Sequence, residues 1–334
     1  MAEFKLQTSA SGRIPSEQFS LTTFLKTIEG EGLAWLDILK PNKEVKKFLL
    51  DTMDFAELAV EDVYGPADTT AQKFNNHRFL VVNARDADNR LDTEPVAIFI
   101  KQKLIITVRH TRIPALRVFS KRFKKADSED LALGIDFLLY ELLDSIADDW
   151  TPILGKYSSE LDELEFRVFD PNEKYEGLLE GLHDLKRQLR EASKSIESLY
   201  TVTLRLQKPG ERLLSDGVGR YFTDLSQLCA ALVKRANNYS QGATSTRDTY
   251  LSNISMQLAE SNAQLTEVMT TLTIIGAIML PLTLIAGIFG MNNDDLPLDL
   301  VGGFWGIISL MALFATVMLF FFYKRGWLNI FKNP

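Results

Sequence analysis

Two uncharged runs near the C-terminus, residues 271–290 and 304–323, stand out in the hydropathy pattern of this chain. Each holds about twenty residues, enough at ~1.5 Å rise per residue to cross a ~30 Å hydrocarbon layer. Residues 291–303 are all that separates them, so together they predict a membrane hairpin with a short loop. Upstream, residues 1–125 alternate in the way of a mixed α/β domain. LAWLDIL (33–39), RFLVVNA (78–84), EPVAIFI (94–100) and KLIITVR (103–109) read as strands, the last two joined at the polar Lys101-Gln102 step as a hairpin. PNKEVKKFLLDTM, after the first of them, has helical spacing.

From about Ser128 the period changes to three and four. Residues 126–210 predict an antiparallel helical pair, one helix ending before Asp170-Pro171 and the other before Pro209-Gly210, with Pro152 a point where the first kinks or divides. A third helical stretch, 219–290, has no proline before Pro281; unbroken, it would be roughly 100 Å long. Residues 237–247, rich in Asn, Ser, Gly and Thr, are weak helix formers, and a break at Gly242 is open on sequence grounds. Further on, Leu251, Ile254, Leu258, Ser261, Leu265, Val268 and Leu272 recur at heptad spacing, the pattern of helices packed side by side. A bundle of several copies is implied.

Charge orients the hairpin. Lys324, Arg325 and Lys332 follow the second run, whereas the loop has no Lys or Arg and carries Asp294, Asp295 and Asp299. The positive-inside bias places the tail 324–334 and the large N-terminal part in the cytoplasm, with the loop outside and Trp305, Tyr323 and Trp327 as interfacial anchors. The expectation is a multi-pass protein of the cell (inner) membrane. No apolar signal segment opens the chain, and the start is not Arg-rich in the manner of a transit peptide. The formal net charge of −7 disfavours a nucleic-acid partner. Cys229 is the sole cysteine, which excludes an intramolecular disulfide and a thiolate cluster and leaves it a small packing residue. Neither a P-loop nor a GxGxxG following a strand is present, and no nucleophile–base pair or metal-ligand spacing stands out, so the sequence supports no enzyme activity and no ATP-hydrolysing motor. His77, His110 and His183 are scattered singly. The carboxylates Glu160, Asp162, Glu163 and Glu165 read as a solvated helix face.

Within the first span, Met269, Thr273, Gly276, Leu280, Thr283, Gly287 and Gly290 share one stripe of mostly small, hydroxyl-bearing or flexible residues. Such a stripe serves close helix packing or faces the axis of a bundle. The string MLPLTLIAGIFGMN, the acidic loop with Pro297 and the ending FFYKRGWL resemble the CorA family of two-span divalent-cation channels, whose signature is the triplet found here as Gly290, Met291 and Asn292. AWLDILKP, ELAVEDV (57–63) and SIADDW (145–150) extend the resemblance over most of the chain.

The resemblance implies an α+β cytoplasmic domain with long helices, one of them continuous into the membrane, and two C-terminal transmembrane helices in a homopentameric funnel. It implies that the stripe lines a pore, with Met269 and Leu280 as apolar constrictions and Thr283 as a hydroxyl ring. Gly290, Met291 and Asn292 would form the outer selectivity site for hydrated Mg²⁺, with Co²⁺ or Ni²⁺ as further cargo, and Asp294, Asp295 and Asp299 would draw cations to the mouth. Divalent ions between cytoplasmic domains would hold the channel closed, Asp248 being a candidate ligand. No resident cofactor is implied beyond transported and regulatory divalent cations; the partners are the bilayer and further copies of the chain. The loop departs from familiar members, with Asn293 after the triplet and Leu298 after the proline. A proton-coupled zinc transporter of the related ZntB subgroup is the alternative within the family. A membrane-anchored scaffold or metal sensor is the alternative outside it.

Overall fold

The computed structural model describes residues 2–9, 12–14, 24, 32–65, 68–87, 93–126, 128–169, 177–208, 213–215, 217–291 and 303–327. Two compact units, Met1–Asp248 and Thr249–Pro334, divide the chain.

In the first unit the β-branched and aromatic runs pair into one mixed sheet. Its strands are β1 (Glu3–Thr8), β2 (Gly12–Ile14), β3 (Ala34–Leu39), β4 (Thr70–Lys73), β5 (Arg78–Arg85), β6 (Thr93–Lys101) and β7 (Leu104–Arg109), in the order β2-β1-β3-β7-β6-β5-β4. Among the described strands β3 and β7 run parallel and the other neighbours are antiparallel. The hairpin at Lys101-Gln102 forms as expected, with Lys101 opposite Leu104 and Gln102 in the left-handed region at φ 53°. Between β3 and β4 the chain makes a short helix α1 (Lys43–Lys47), a single wider π turn (Phe48–Thr52) and helix α2 (Glu57–Tyr64). Asn42 starts α1 by accepting from the amides of Glu44 and Val45. Val45, Leu49 and Val60 from this segment pack with Leu36, Ile38, Val81, Phe99 and Ile106 from one face of the sheet. Strand periodicity sends Leu80, Val82, Ile98 and Ile105 to the opposite face, where they too are buried.

That second face is covered by α3 (Pro114–Lys125), α5 (Ile135–Phe169) and α6 (Leu178–Leu206), with a short α4 (Ser128–Ala132) between the first two. Polar contacts fix the layers. Ser195 donates to the Asn83 carbonyl (2.9 Å), the Asn83 amide donates to Ser198 (3.1 Å), and Arg85 holds Asp149 through two bonds of 2.8 and 3.0 Å. The antiparallel pair expected over 126–210 is α5 and α6, which pack along each other. Pro152 neither divides nor ends α5. It lies on the exposed side, where water can serve the carbonyl it deprives. The break falls instead at Gly134, in the left-handed region at φ 86°.

Helix α7 (Gly219–Phe289) is continuous through Gly242, and α8 (Gly303–Lys324) is the second apolar helix. A Cβ at Gly242 would come within 2.9 Å of Leu161 Cδ2, so the missing side chain is what lets α5 approach. Packing there outweighs the weak helix propensity of 237–247. Thr246 adds a hydrogen bond to Glu165 (2.9 Å) in the same region. Cys229 is fully buried on α7, and burial aided by the charge of Asp144 pushes its thiol up to about 12.

Candidate functional site

The candidate site is the end of α7 and its turn. Over the last twenty or so residues the covered positions include Ile274, Ile278, Pro281, Ile285 and Phe289, three and four apart along one face. Met269, Thr273, Leu280, Thr283, Gly287 and Gly290 are exposed, and Gly276 is half-covered. The stripe singled out in the sequence is thus mainly on a side of the helix that this chain leaves open; Leu280 is 73% exposed and Met269 69%. The heptad seam below it is open as well, with Leu258 60%, Leu265 62% and Leu272 70% exposed. Contiguous apolar surface of this kind marks contact with another protein surface or with lipid.

The hydroxyls on the stripe have a defined polarity. Thr283 Oγ1 lies 2.8 Å from the Met279 carbonyl and Thr273 Oγ1 lies 2.7 Å from that of Met269. A carbonyl only accepts, so each hydroxyl must spend its proton inward and present bare lone pairs outward. The face offers acceptors, the right complement to the water protons around a hydrated cation. At the end of the span the Gly290 amide still bonds to the Ala286 carbonyl (2.9 Å), and Met291 bonds to Ile288 (3.3 Å), so the last turn tightens from i−4 to i−3. Asn292, Asp294, Asp295 and Asp299 lie outside the described residues.

Asp248 is exposed and takes a 2.8 Å ion pair from its neighbour Arg247. Among the described residues no three His, Cys, Asp or Glu converge as metal ligands. His183 is exposed, and His110 Nε2 meets the Val63 carbonyl at 2.8 Å. Of the acidic helix face, Glu165 accepts from Thr246, while burial and the neighbouring Glu163 and Asp184 raise the Glu160 carboxyl.

His77 is buried against Phe74 and Phe55, with ring centroids 4.8 and 4.7 Å away. Asn76 donates to Asp54, which orients its amide so that Oδ1 accepts from His77 Nδ1 at 2.6 Å; Nε2 has no partner among the described residues. Burial, then Lys101, lowers the imidazole to about 4. The unfolded chain therefore binds a proton between the ordinary value near 6.5 and about 4 that the folded chain refuses, and stability is lost as pH falls through that window. Relative to a His77→Phe variant, the native protein should lose on the order of 2–3 kcal/mol between pH 7 and pH 4. Thermal melts of both proteins across that range check this; parallel curves would refute it.

Sequence reading missed two polar clusters. Arg122 on α3 bridges Asp144 (2.6 Å) and Asp148 (2.5 Å) on α5, with Glu141 at 3.7 Å, and burial raises both Asp144 and Glu141. The signal was present in the spacing of 141, 144 and 148, one helix face. Buried Asp37 on β3 holds Arg109 on β7 through bonds of 2.7 and 3.0 Å and accepts from Thr107 at 2.9 Å, while Trp35 Nε1 donates to Thr107 at 3.1 Å.

Comparison with known proteins identifies the family and the fold. A family model described as CorA-like Mg²⁺ transporter protein matches residues 30–325. The Bacillus subtilis protein YfjQ is 28% identical over 300 residues, 89% of this chain and 91% of that one. The cobalt/magnesium transport protein CorA of Thermotoga maritima is 29% identical over 259 residues, 76% and 71% of the two chains. In structure, the complete CorA magnesium transporter of Methanocaldococcus jannaschii superposes with a TM-score of 0.68 at 22% identity, covering 98% of each chain. The architecture expected from the sequence, an α/β part with long helices followed by two apolar C-terminal helices, is that of the full-length fold. With two helices long and apolar enough to cross a bilayer and a match spanning nearly its whole length, the chain belongs to the CorA family of divalent metal ion transporters, membrane proteins rather than enzymes.

Proposed function

We propose that this chain assembles as a homopentamer in the cell (inner) membrane and conducts hydrated Mg²⁺ passively inward, with Co²⁺ and Ni²⁺ as further cargo and both termini cytoplasmic. The observation that carries the reading is the open face of the first span. It bears acceptor-only hydroxyls and glycines, continues an uncovered heptad seam, and leads directly into Gly290, Met291 and Asn292. Copies packed through that seam would enclose a path with Met269 and Leu280 as constrictions that gate by dewetting. Asn292 would rim the mouth, and Asp294, Asp295 and Asp299 would concentrate cations there. Asp248 would take part in closing the channel when cytoplasmic divalent ions are abundant. No resident cofactor is needed.

The driving force is electrical. A divalent ion crossing ~100 mV, inside negative, gains about 4.6 kcal/mol, twice the ~2.3 kcal/mol per elementary charge. In proteoliposomes, Mg²⁺ entry should rise with an imposed inside-negative potassium diffusion potential and ignore a pH gradient. It should also slow when Mg²⁺ is supplied on the cytoplasmic side. Zn²⁺ entry that exceeds Mg²⁺ entry and follows the pH gradient would replace this reading with zinc transport. No flux of either ion would leave an anchored scaffold.

A further inference from the structure

One sizeable cavity among the described residues is lined mainly by basic side chains. It holds about 800 Å³ and opens beside β1, β3 and β7 at the start of α3. Its floor is apolar and buried, formed by Trp35, Leu39, Ile113 and Leu116. Around it stand Lys5, Arg112, Arg117 and Lys121, none of which has an ion-pair partner among the described residues, against the single free carboxylate of Glu3. In a chain of net charge −7, such a concentration of unpaired cations reverses the overall sign locally.

Two features at its lining carry polar hydrogens. Arg109, 5% exposed, spends three N–H groups on Asp37 and the Thr111 carbonyl, and a guanidinium carries five, so two remain for a ligand. Helix α3 begins at the cavity with Pro114 in its first turn and no side chain capping it, an N-terminus of the kind that favours an anion. The place in the fold is also suited to a ligand. Leu39 and Arg109 are the carboxyl ends of the parallel pair β3 and β7, the end at which α/β sheets bind their ligands.

We propose that this cavity binds a nucleoside di- or triphosphate. The phosphates sit on the α3 amides between Arg112, Arg117 and Lys121, with Arg109 below, and the ring system lies over the apolar floor. A bare inorganic anion would use the rim but leave the floor empty, whereas the volume lies in the range of small-molecule sites. The sequence has no glycine-rich phosphate loop, and the proposal is one of binding. It stands independently of the conduction pathway.

The test is calorimetric titration of the detergent-solubilised full chain, in buffer freed of divalent ions with EDTA, using ATP, inorganic tripolyphosphate and adenosine. ATP should bind saturably, tripolyphosphate about tenfold or more weakly, and adenosine without measurable heat. The double variant Arg112→Ala/Arg117→Ala removes two exposed side chains without described partners, and should melt as the native protein does while losing ATP affinity roughly 10- to 100-fold, as loss of two charge-assisted contacts predicts. Absence of saturable ATP binding, equal affinity for tripolyphosphate, or ATP binding unchanged in the double variant would each overturn the assignment.

Discussion

Substitution Asn292→Ala should reduce Mg²⁺ flux into proteoliposomes by two orders of magnitude or more, with assembly unaffected. Mg²⁺ gives up its water reluctantly and favours oxygen in an octahedron, so an entrance that stripped it would be slow. Amide oxygens contributed by several copies can instead accept hydrogen bonds from the water shell. Each such bond is worth about 0.5–1.5 kcal/mol net, and a ring of them amounts to several kcal/mol, where about 1.4 is tenfold in rate or affinity. In the proposed ring, alanine would delete every acceptor at once. Asn292→Asp should separate binding from passage: carboxylates hold the ion more firmly, so competition by Mg²⁺ at the mouth strengthens while throughput falls, since conduction requires release. A Mg²⁺-sensitive dye trapped in the vesicles reads both. Retention of native flux by Asn292→Ala would sink the selectivity ring.

The second large effect concerns folding. Arg109→Met should lower the melting midpoint of the detergent-solubilised protein by about 10 °C, the equivalent of ~3–5 kcal/mol for a buried pair that loses one member. Asp37 is 3% exposed and would be left with Thr107 alone to satisfy a full negative charge. Much of the cost comes from that orphaned carboxylate, not from the attraction lost. The double variant Asp37→Leu/Arg109→Met should therefore recover most of the stability, because apolar replacement of both partners is often neutral. If the double variant is as unstable as the single one, the loss comes from altered packing on β7 and the electrostatic account fails.

Much of this fold is legible in the sequence because the decisive signals are local. β3, β5, β6 and β7 are carried by runs that alternate or stay apolar, and the C-terminal spans by length alone. The triplet at 290–292 is recognisable as a string. β1 and β4 went unread because FKLQT and TAQK are short and partly polar, and become strands only through neighbours remote in sequence. At Pro152 and Gly242 propensity marks a breaking point, whereas solvent exposure at one and the contact with Leu161 at the other keep both helices whole; for Gly242 the continuous helix is what the family resemblance implies. LAWLDIL did contain a clue to the buried pair. A carboxylate inside an apolar strand demands a partner, but that partner is Arg109, brought alongside only when β3 and β7 align. The stripe on the first span is read from spacing; what occupies its open side is not encoded locally in one sequence.

Cys229 carries an experimental benefit. With its sulfur enclosed and its proton held up to about 12, the native thiol is a poor nucleophile at any pH used for maleimide or methanethiosulfonate chemistry. The natural chain is thus already a silent background for labelling. A cysteine placed in turn at 269, 273, 280, 283 or 287 would be the one reactive sulfur in the molecule. Its modification by charged reagents, protected or not by Mg²⁺, would map wetted positions along the span residue by residue.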